Sequence, residues 1–219
     1  MAVPQPDLAH QRQLMVEHQL AGRGIRAPRV LQAMATLRRE LFVPAHAAAS
    51  AYEDRPLPIG AGQTISQPFV VARMLAALEL TGTERVLEVG TGSGYVAALL
   101  AMLAREVFTI ERHAQLARTA AEHLARSGFP QVHVRRGDGT LGWPEHAPFD
   151  AILVSAGGPR VPPALRSQLA APGRLVMPVG EDQGSQTLLC QQRLMNGWRE
   201  RALGSVVFVP LVGAQGWSG

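Results

Sequence analysis

The chain has 219 residues, of which 47% are hydrophobic and 17% charged, and it carries a net charge of +4. This balance is typical of a folded protein with a sizeable core and excludes a disordered chain. All of the basic residues are arginines, which also excludes sites built on a P-loop, Schiff-base or kinase lysine. The arginines are dispersed and aromatic residues make up only 5%, so we expect no nucleic-acid partner.

The cysteine and histidine content and the length of the apolar runs bear on the compartment, metal binding and membrane contact of the protein. The one cysteine, Cys190, excludes an internal disulfide and is typical of a reducing compartment. The seven histidines have no ligand-like spacing, which predicts no metal site. The longest apolar run, Val96–Ala104, is too short to cross a bilayer, and no N-terminal leader is recognisable. We therefore expect a cytoplasmic protein without membrane contact, and a monomer because no second apolar helix face stands out.

The first 80 residues predict helices and one long loop. Residues 1–6 contain two prolines and are expected to form a loose tail. Apolar periodicity predicts helices over Leu8–Leu20, from Pro28 to Leu37 and over Phe69–Leu80. Residues 52–68 are rich in Pro and Gly and predict a long irregular loop of the kind that often carries function. Residues 1–80 are therefore expected to be a helical segment with an active-site loop, packed on the rest of the chain.

Strands and helices alternate from residue 81 onward. Strands are predicted over Arg85–Val89, Val107–Ile110, Val132–Val134, Phe149–Val154 and Gly173–Val179, with helices at Tyr95–Ala104, Leu116–Leu124 and Val161–Leu169. Two further strands, Thr187–Leu194 and Ser205–Val209, flank the turn-forming pair Asn196-Gly197 and predict a closing antiparallel pair. Residues 81–219 thus predict an α/β core with a mostly parallel, doubly wound, Rossmann-like sheet, in one compact unit with the helical segment.

The stretch from Val86 to Tyr95 joins a buried type of strand to a helix through three glycines on alternate positions. Such a unit lets a ligand approach the backbone at a helix N-terminus, which makes Gly90, Thr91 and Gly92 candidate binding residues. The spacing differs from the G-x-G-x-x-G of dinucleotide sites. Glu88 favours a cationic ligand over a pyrophosphate, and S-adenosylmethionine carries a sulfonium and an ammonium but no phosphate. A tight turn without any ligand is the alternative.

Three further polar residues lie where predicted strands or loops end. Glu111 ends the second core strand, where a carboxylate can bind both hydroxyls of a ribose; the alternative is an acid that favours the start of the next helix. Asp138 lies between two glycines after the third strand and either accepts from an adenine amino group or only forms a turn. Ser66 precedes a predicted helix, so its hydroxyl either caps that helix or faces a ligand.

These residues carry a resemblance that extends along nearly the whole chain. The sequence resembles the protein-L-isoaspartate O-methyltransferase family in the glycine motif, Glu88–Tyr95, which most S-adenosylmethionine enzymes share. Two matching segments, Gly62–Pro68 and Phe208–Leu211, are more specific to this family. The other matching segments are Met15–Leu20, Arg23–Ile25, Pro28–Leu31, Ala33–Met34, Phe42–Pro44, Ala51–Tyr52, Pro56–Gly60, Ile110–Arg112, Gly137–Gly139, Gly142–Pro144 and Ala147–Asp150.

The resemblance implies an enzyme that methylates the free carboxylate of L-isoaspartyl residues in damaged proteins and peptides. The donor would be S-adenosyl-L-methionine and its product S-adenosyl-L-homocysteine; the ester then cyclises to a succinimide, whose hydrolysis returns some normal aspartate. The resemblance also implies that Ser66 is the active-site hydroxyl. Taken with the glycine motif, it places around the cofactor Gln63, Thr64, Ile65, Ser66, Glu88, Gly90, Thr91, Gly92, Glu111, Arg112, Asp138 and Gly139.

The chain departs from the family pattern at three places. Arg38 stands where the family often has proline, and Ser155–Gly157 replace the more usual Thr-Ala-Ala. Val212 stands where some relatives have a threonine near the cofactor. None of these positions lies in the glycine motif, but Val212 leaves open whether the C-terminal residues contact the cofactor.

Three other functions are less consistent with the sequence. A nucleic-acid methyltransferase would need either an Asn/Asp-Pro-Pro-aromatic turn or a catalytic cysteine after the fourth strand, where this chain has Ser155–Gly158. A non-catalytic sensor of S-adenosylmethionine would not need the intact segment Gly62–Pro68. The glycine spacing and Glu88 argue against a nicotinamide dehydrogenase.

Overall fold

The computed structural model describes residues 7–218, so the tail expected over residues 1–6 lies outside the described residues. The helices are α1 (Leu8–Leu14), α2 (Pro28–Thr36), α3 (Pro68–Leu78), α4 (Tyr95–Leu103), α5 (Ala114–Arg126) and α6 (Pro163–Gln168). A π-helical segment, Met15–Leu20, continues α1, and 3₁₀ turns lie at Ala21–Arg23, Arg39–Phe42, Ala45–Ser50, Gly139–Leu141 and Pro144–His146. Among these described helices, none combines the length and the apolar character needed to cross a membrane.

The strands belong to two sheets. They are β1 (Leu57–Gly60), β2 (Gln63–Ile65), β3 (Arg85–Val89), β4 (Glu106–Glu111), β5 (His133–Arg136), β6 (Phe149–Val154), β7 (Leu169–Val179), β8 (Gln186–Leu194) and β9 (Gly197–Val206). The larger sheet has the order β5-β4-β3-β6-β7-β8-β9, in which β3 to β7 run parallel to one another, β8 is antiparallel to β7 and β9 is antiparallel to β8. The predicted Rossmann-like fold with antiparallel C-terminal strands is confirmed.

Strands β3 and β6 lie in the middle of the sheet, and both of their faces are covered. Along β3, Val86 belongs to one buried core and Leu87 to a second core on the other face of the sheet. This alternation follows from the two-residue period of side chains along a strand. Met34 of α2 lies in the same core as Val86 and as Leu99 of α4. The N-terminal helices therefore share a core with the sheet, which supports one compact unit; a division near residue 80 stays a prediction.

The stretch over residues 52–68 is more regular than predicted. Strands β1 and β2 pair in an antiparallel hairpin, in which Leu57 is opposite Ile65. Gly60 and Gly62 in its turn have φ values of +96° and +69°, which glycine adopts without strain. The sequence does not predict this hairpin, because the two strands are short and the prolines and glycines in them are typical of irregular loops.

The prediction for the last strand of the sheet is wrong, because this strand lies earlier in the chain than predicted. Strand β9 begins at Gly197, directly after the turn, and ends at Val206, whereas the prediction was Ser205–Val209. Most of β9 is exposed at the edge of the sheet, so its sequence is polar and lacks an apolar alternation. Residues 207–209 leave the sheet and lead to the C-terminal segment.

Helix α3 begins at Pro68 and is capped by a residue distant in sequence. Its N-cap residue, Gln67, makes no side-chain cap. Instead, Oδ1 of Asp54 accepts a hydrogen bond from the backbone N–H of Phe69 at 3.0 Å. Ser66 therefore does not cap this helix, and its hydroxyl is available for another contact.

Candidate active site

A cavity lies at the carboxyl ends of β3, β4 and β6. The strand order reverses between β3 and β6, and ligands of open α/β sheets bind in the crevice at such a point. The cavity is partly open, and the space between its walls, including solvent at its mouth, is about 720 Å³. Its walls therefore define the candidate active site.

The walls come from six parts of the chain. The hairpin side is formed by Gln63, Thr64, Ile65 and Ser66, and the opposite side by β3, the glycine turn and the start of α4. The remaining wall residues are Ile110, Glu111, Arg112, Gly139, Ser155, Ala156, Val209, Pro210, Leu211 and Val212. All of the predicted site residues except Asp138 are thus brought together in one cavity.

The glycine turn has the backbone conformation that its sequence predicts. Gly90, Gly92 and Gly94 have φ values of +93°, +54° and +89°. A side chain at Gly92 would meet the hairpin, because its Cβ would lie 3.2 Å from Cδ1 of Ile59. The hairpin therefore packs directly over the turn, and Ser66 shares a cavity with Gly90 and Gly92.

Glu88 places a buried carboxyl group in the wall. Its side chain is fully buried; one oxygen accepts from the hydroxyl of Thr109 at 2.6 Å, and the other has no hydrogen-bond partner among the described residues. Desolvation raises the pKa of Glu88 to about 8, and the nearby charge of Glu111 adds to this effect against the Thr109 hydrogen bond. A buried carboxyl with a vacant acceptor is suited to a cationic group such as an ammonium.

Glu111 fixes the glycine turn from the end of β4. Its side chain is buried, Oε2 accepts from the N–H of Gly92 and Oε1 from the N–H of His113, both at 2.9 Å. Each carboxylate oxygen can accept a second hydrogen bond, so the group can also bind hydroxyls in the cavity. The acid therefore supports the local backbone and also lines the cavity, whereas its contact with ribose hydroxyls stays a prediction.

Asp138 lies beside the cavity rather than in its wall. Oδ1 accepts from the N–H and the hydroxyl of Thr140, at 2.9 and 2.7 Å, and Oδ2 from the N–H of Ala214 at 2.8 Å. Partial burial opposes ionisation, but the hydrogen bonds from Ala214 and Thr140 prevail and lower the pKa of Asp138. Its carboxylate lines a shallower depression that shares Arg112 and Val212 with the cavity. Its contact with an adenine amino group stays a prediction.

Replacing Asp138 with alanine is expected to lower the free energy of unfolding by about 2 kcal/mol, because three hydrogen bonds to a carboxylate are lost. Thermal unfolding of the ligand-free protein measures this loss. Glu145, an exposed acid in the same region, provides the control and should tolerate alanine. An unchanged melting temperature for Asp138→Ala would show that the carboxylate does not hold the C-terminal segment.

The C-terminal segment contributes a wall that sequence reasoning did not assign. Gly157 N–H donates to the carbonyl of Val209 at 2.8 Å, and Leu211 N–H donates to the carbonyl of Gly157 at 2.7 Å. Nε1 of Trp217 donates to the same Gly157 carbonyl at 3.0 Å. These contacts place Val212 in the wall of the cavity. The family-specific segment Phe208–Leu211 was the one signal for this wall, because an irregular segment has no periodicity to interpret.

Among residues 7–218, no group of three or more His, Cys, Asp or Glu residues is placed to hold a metal ion. The acidic residues of the cavity instead belong to a site with glycine-rich backbone and apolar walls.

Comparisons with known proteins define the class and then the family. The fold is that of an S-adenosylmethionine-dependent methyltransferase. The profile of the family described as protein-L-isoaspartate(D-aspartate) O-methyltransferase matches residues 10–216. The chain belongs to this family.

Individual relatives support the assignment over the full length of the match. The chain is 59% identical over 212 residues to protein-L-isoaspartate O-methyltransferase 2 of Marinobacter nauticus, covering 96% of this chain and 97% of the relative. It is 54% identical over 211 residues to protein-L-isoaspartate O-methyltransferase 1 of Rhodopseudomonas palustris, covering 96% and 86%.

Solved structures agree with the sequence relatives. A structure of a protein-L-isoaspartate O-methyltransferase superposes with a TM-score of 0.83 at 26% identity, covering 94% of this chain and 67% of that one. A Plasmodium falciparum protein described as a protein-L-isoaspartate O-methyltransferase, solved in complex with S-adenosyl-L-homocysteine, gives a TM-score of 0.80 at 26% identity, covering 92% and 98%.

Proposed function

We propose that this chain transfers a methyl group from S-adenosyl-L-methionine to the free carboxylate of L-isoaspartyl residues in damaged proteins and peptides. The ester then forms a succinimide, which begins repair. The observation that carries this proposal is the single cavity that joins the family-specific hairpin, with Ser66, to the glycine turn and Glu88. Membership of the family gives the reaction, and the cavity gives the residues that can perform it.

The cavity suits the cofactor on the chemistry of its walls. The vacant oxygen of buried Glu88 is suited to the ammonium, the glycine turn admits close approach of the chain to the ligand, and Glu111 is suited to ribose hydroxyls. When bound, S-adenosylmethionine supplies a methyl group activated by a sulfonium. The further residues proposed to hold the cofactor are Gln63, Thr64, Ile65, Ser66, Gly90, Thr91, Gly92, Arg112, Asp138 and Gly139.

The chain's own residues need to do little acid–base chemistry. A substrate carboxylate is already ionised at neutral pH, so no general base has to remove a proton. Ser66 is half-buried and lies in the cavity wall, where its hydroxyl can donate to that carboxylate. Apolar walls from Ile65, Val209 and Leu211 exclude water, which strengthens electrostatic contacts inside the site. Positioning and desolvation are therefore the proposed means of catalysis.

The finer partner and location assignments belong to the same proposal. We propose a cytoplasmic monomer that does not bind nucleic acid. Support comes from the dispersed arginines and from Cys190, which is a buried free thiol. Sedimentation at several concentrations would test the monomer directly.

The proposed reaction is tested with two peptides that differ only in the linkage of one residue. We expect methylation of the L-isoaspartyl peptide and little or none of the aspartyl peptide, with the label released by mild alkali as expected for an ester. Duplex DNA and RNA serve as further acceptors in the same assay. Methylation of nucleic acid, or tight cofactor binding without methylation of any acceptor, would refute the proposal.

Replacing Ser66 with alanine is expected to lower kcat/KM for the isoaspartyl peptide about 10- to 100-fold, because one hydrogen bond to a charged group is lost. Ser167→Ala is the matched control, since that exposed hydroxyl bonds only within its own helix. Calorimetry with S-adenosylhomocysteine separates the two roles of Ser66: retained affinity places its hydroxyl on the substrate, and lost affinity places it on the cofactor. Unchanged kinetics and affinity would remove it from the mechanism.

A further inference from the structure

Arg39 lies directly behind the part of the wall that Ser66 forms. Its side chain is completely buried in the 3₁₀ turn Arg39–Phe42. Nη2 donates to the backbone carbonyl of Ser66 at 3.0 Å, and Nε donates to the carbonyl of Ala51 at 2.7 Å. One guanidinium therefore ties the end of the hairpin to the chain segment that leads into it.

The charge of Arg39 has no carboxylate partner. Among the described ion pairs, none involves its guanidinium, and its Nη1 has no hydrogen-bond partner. The adjacent Glu40 is already engaged, because it accepts from Nε of Arg38 at 2.9 Å and from the hydroxyl of Tyr52. Asp54 accepts from other donors as well. Asp54 is near enough for its charge to favour the ionised guanidinium, but a buried cation that contacts no carboxylate is costly, so its place behind the wall calls for an explanation.

The aromatic ring of Tyr95 connects this charge to the cavity. Cζ of Arg39 lies 5.0 Å from the ring centroid of Tyr95, which is itself a wall residue. Such a cation–π contact compensates part of the cost of burial. Desolvation lowers the pKa of Arg39 from its ordinary value, but a guanidinium keeps its proton at neutral pH. The wall beside Ser66 is therefore backed by a fixed positive charge.

We propose that Arg39 is a positioning and specificity-determining residue for the anionic substrate, holding the peptide unit of Ser66 and attracting the substrate carboxylate into the cavity. This inference rests on the proposed function, because it takes the isoaspartyl carboxylate as the group that Ser66 faces. The charge favours binding of the substrate over the product, because the substrate carboxylate is an anion and the methyl ester is neutral. It also opposes S-adenosylmethionine, which carries one more positive charge than S-adenosylhomocysteine.

Three variants separate charge from packing. Arg39→Met removes the charge and keeps an unbranched chain, whereas Arg39→Lys keeps the charge but cannot hold both carbonyls in the same fork. Arg38→Met is the matched control, because Arg38 is the neighbouring cation, is exposed and does not contact Ser66. The readouts are kcat and KM for an isoaspartyl peptide, and the Kd values of S-adenosylmethionine and S-adenosylhomocysteine from calorimetry.

The expected pattern differs for each variant. Arg39→Met should raise KM about tenfold while the Kd of S-adenosylhomocysteine changes less than about twofold, because only the anion loses an attraction. In the same variant, S-adenosylmethionine should tighten relative to S-adenosylhomocysteine. Arg39→Lys should keep KM near the wild-type value and lower kcat about tenfold, because Ser66 is held less firmly. Arg38→Met should match the wild type.

The proposal is overturned if Arg39→Met leaves KM unchanged, or if it weakens S-adenosylhomocysteine as much as it raises KM, which is the result of general disruption. If circular dichroism shows that Arg39→Met does not fold, Arg39→Lys decides: because lysine keeps the charge, a KM raised about tenfold in this variant contradicts the electrostatic role, and a KM near the wild-type value supports it. If the wild type methylates no isoaspartyl peptide, the proposed function fails separately, and the ratio of the two Kd values still tests whether the charge of Arg39 reaches the cavity.

Discussion

Replacing Glu88 with glutamine is expected to weaken S-adenosylmethionine and S-adenosylhomocysteine binding about a hundredfold at pH 8, because neutralising one member of a buried charge pair costs roughly 2–5 kcal/mol. The shape of the side chain is kept, so the loss reports the charge. The vacant, fully buried oxygen of Glu88 in the wall is the basis for this expectation. Isothermal calorimetry of both ligands measures the effect.

The same variant should also change the pH dependence of binding. Without ligand, burial raises the pKa of Glu88 to about 8, so the carboxyl is largely protonated at neutral pH and a cationic ligand must displace that proton. The ratio of the Kd of Glu88→Gln to the wild-type Kd should therefore rise from pH 6 to pH 8 and then level off. Titration of the ligand's own amino group occurs with both proteins and cancels in this ratio.

The free energy of unfolding of the ligand-free wild type should fall as the pH rises, whereas its affinity for the ligand should increase. The folded-state pKa of Glu88 lies above its ordinary value of 4.5, so between 4.5 and about 8 the unfolded chain releases a proton that the folded chain keeps. This contribution to stability is complete below pH 4.5 and is lost as the pH rises through about 8. Glu88→Gln, which does not titrate, should be more stable than the wild type at pH 8 and similar near pH 4.5.

Thr109 provides the matched control for Glu88. Its hydroxyl is the donor to the Glu88 carboxyl, so Thr109→Val should raise the pKa of Glu88 further and move the rise in ligand affinity to higher pH. Equal pH profiles for the wild type, Thr109→Val and Glu88→Gln would contradict the role of Glu88 as the ionising group of the site.

Replacing Glu111 with alanine is expected to weaken S-adenosylhomocysteine about a hundredfold and to destabilise the protein by roughly 1–3 kcal/mol, since two backbone donors lose a charged acceptor. The ligand loses the proposed ribose acceptor, and the turn loses the contact that fixes Gly92. Calorimetry and thermal unfolding measure the two effects separately.

Two variants control for the loss of charge and for the position on the strand. Glu111→Gln keeps an acceptor oxygen and should lose less affinity and less stability than alanine. Glu106→Ala removes a half-exposed acid from the other end of β4, where it pairs with Arg85, and should leave ligand affinity unchanged. Binding within about threefold of the wild type for Glu111→Ala would contradict its place in the site, given what a charged hydrogen bond contributes.

Much of the core architecture could be predicted because its signals are local. Strand β6 occurs over Phe149–Val154, as its apolar run predicted, and α4 begins at Tyr95 directly after the third glycine. Buried parallel strands are nearly uniform apolar runs, and glycine spacing marks a turn with positive φ values. These features depend on neighbouring residues, which a sequence displays directly.

The parts that the sequence did not predict depend on contacts between distant residues. Asp138 is held by Ala214, and Ser66 by Arg39, and neither pair is close in sequence. The hairpin and the C-terminal wall have too few regular residues to show a period. In the candidate site, the sequence therefore indicated the acids and the glycine turn, whereas the apolar wall and the support behind Ser66 required the structure.

We propose that one cavity holds the cofactor with its reactive end towards Ser66. A crystal structure with S-adenosylhomocysteine tests it most directly. We predict the ammonium beside Glu88, the ribose hydroxyls on Glu111 and the sulfur facing the hairpin side formed by Gln63–Ser66. A ligand bound outside this cavity, or one whose sulfur faces away from Ser66, would contradict the account.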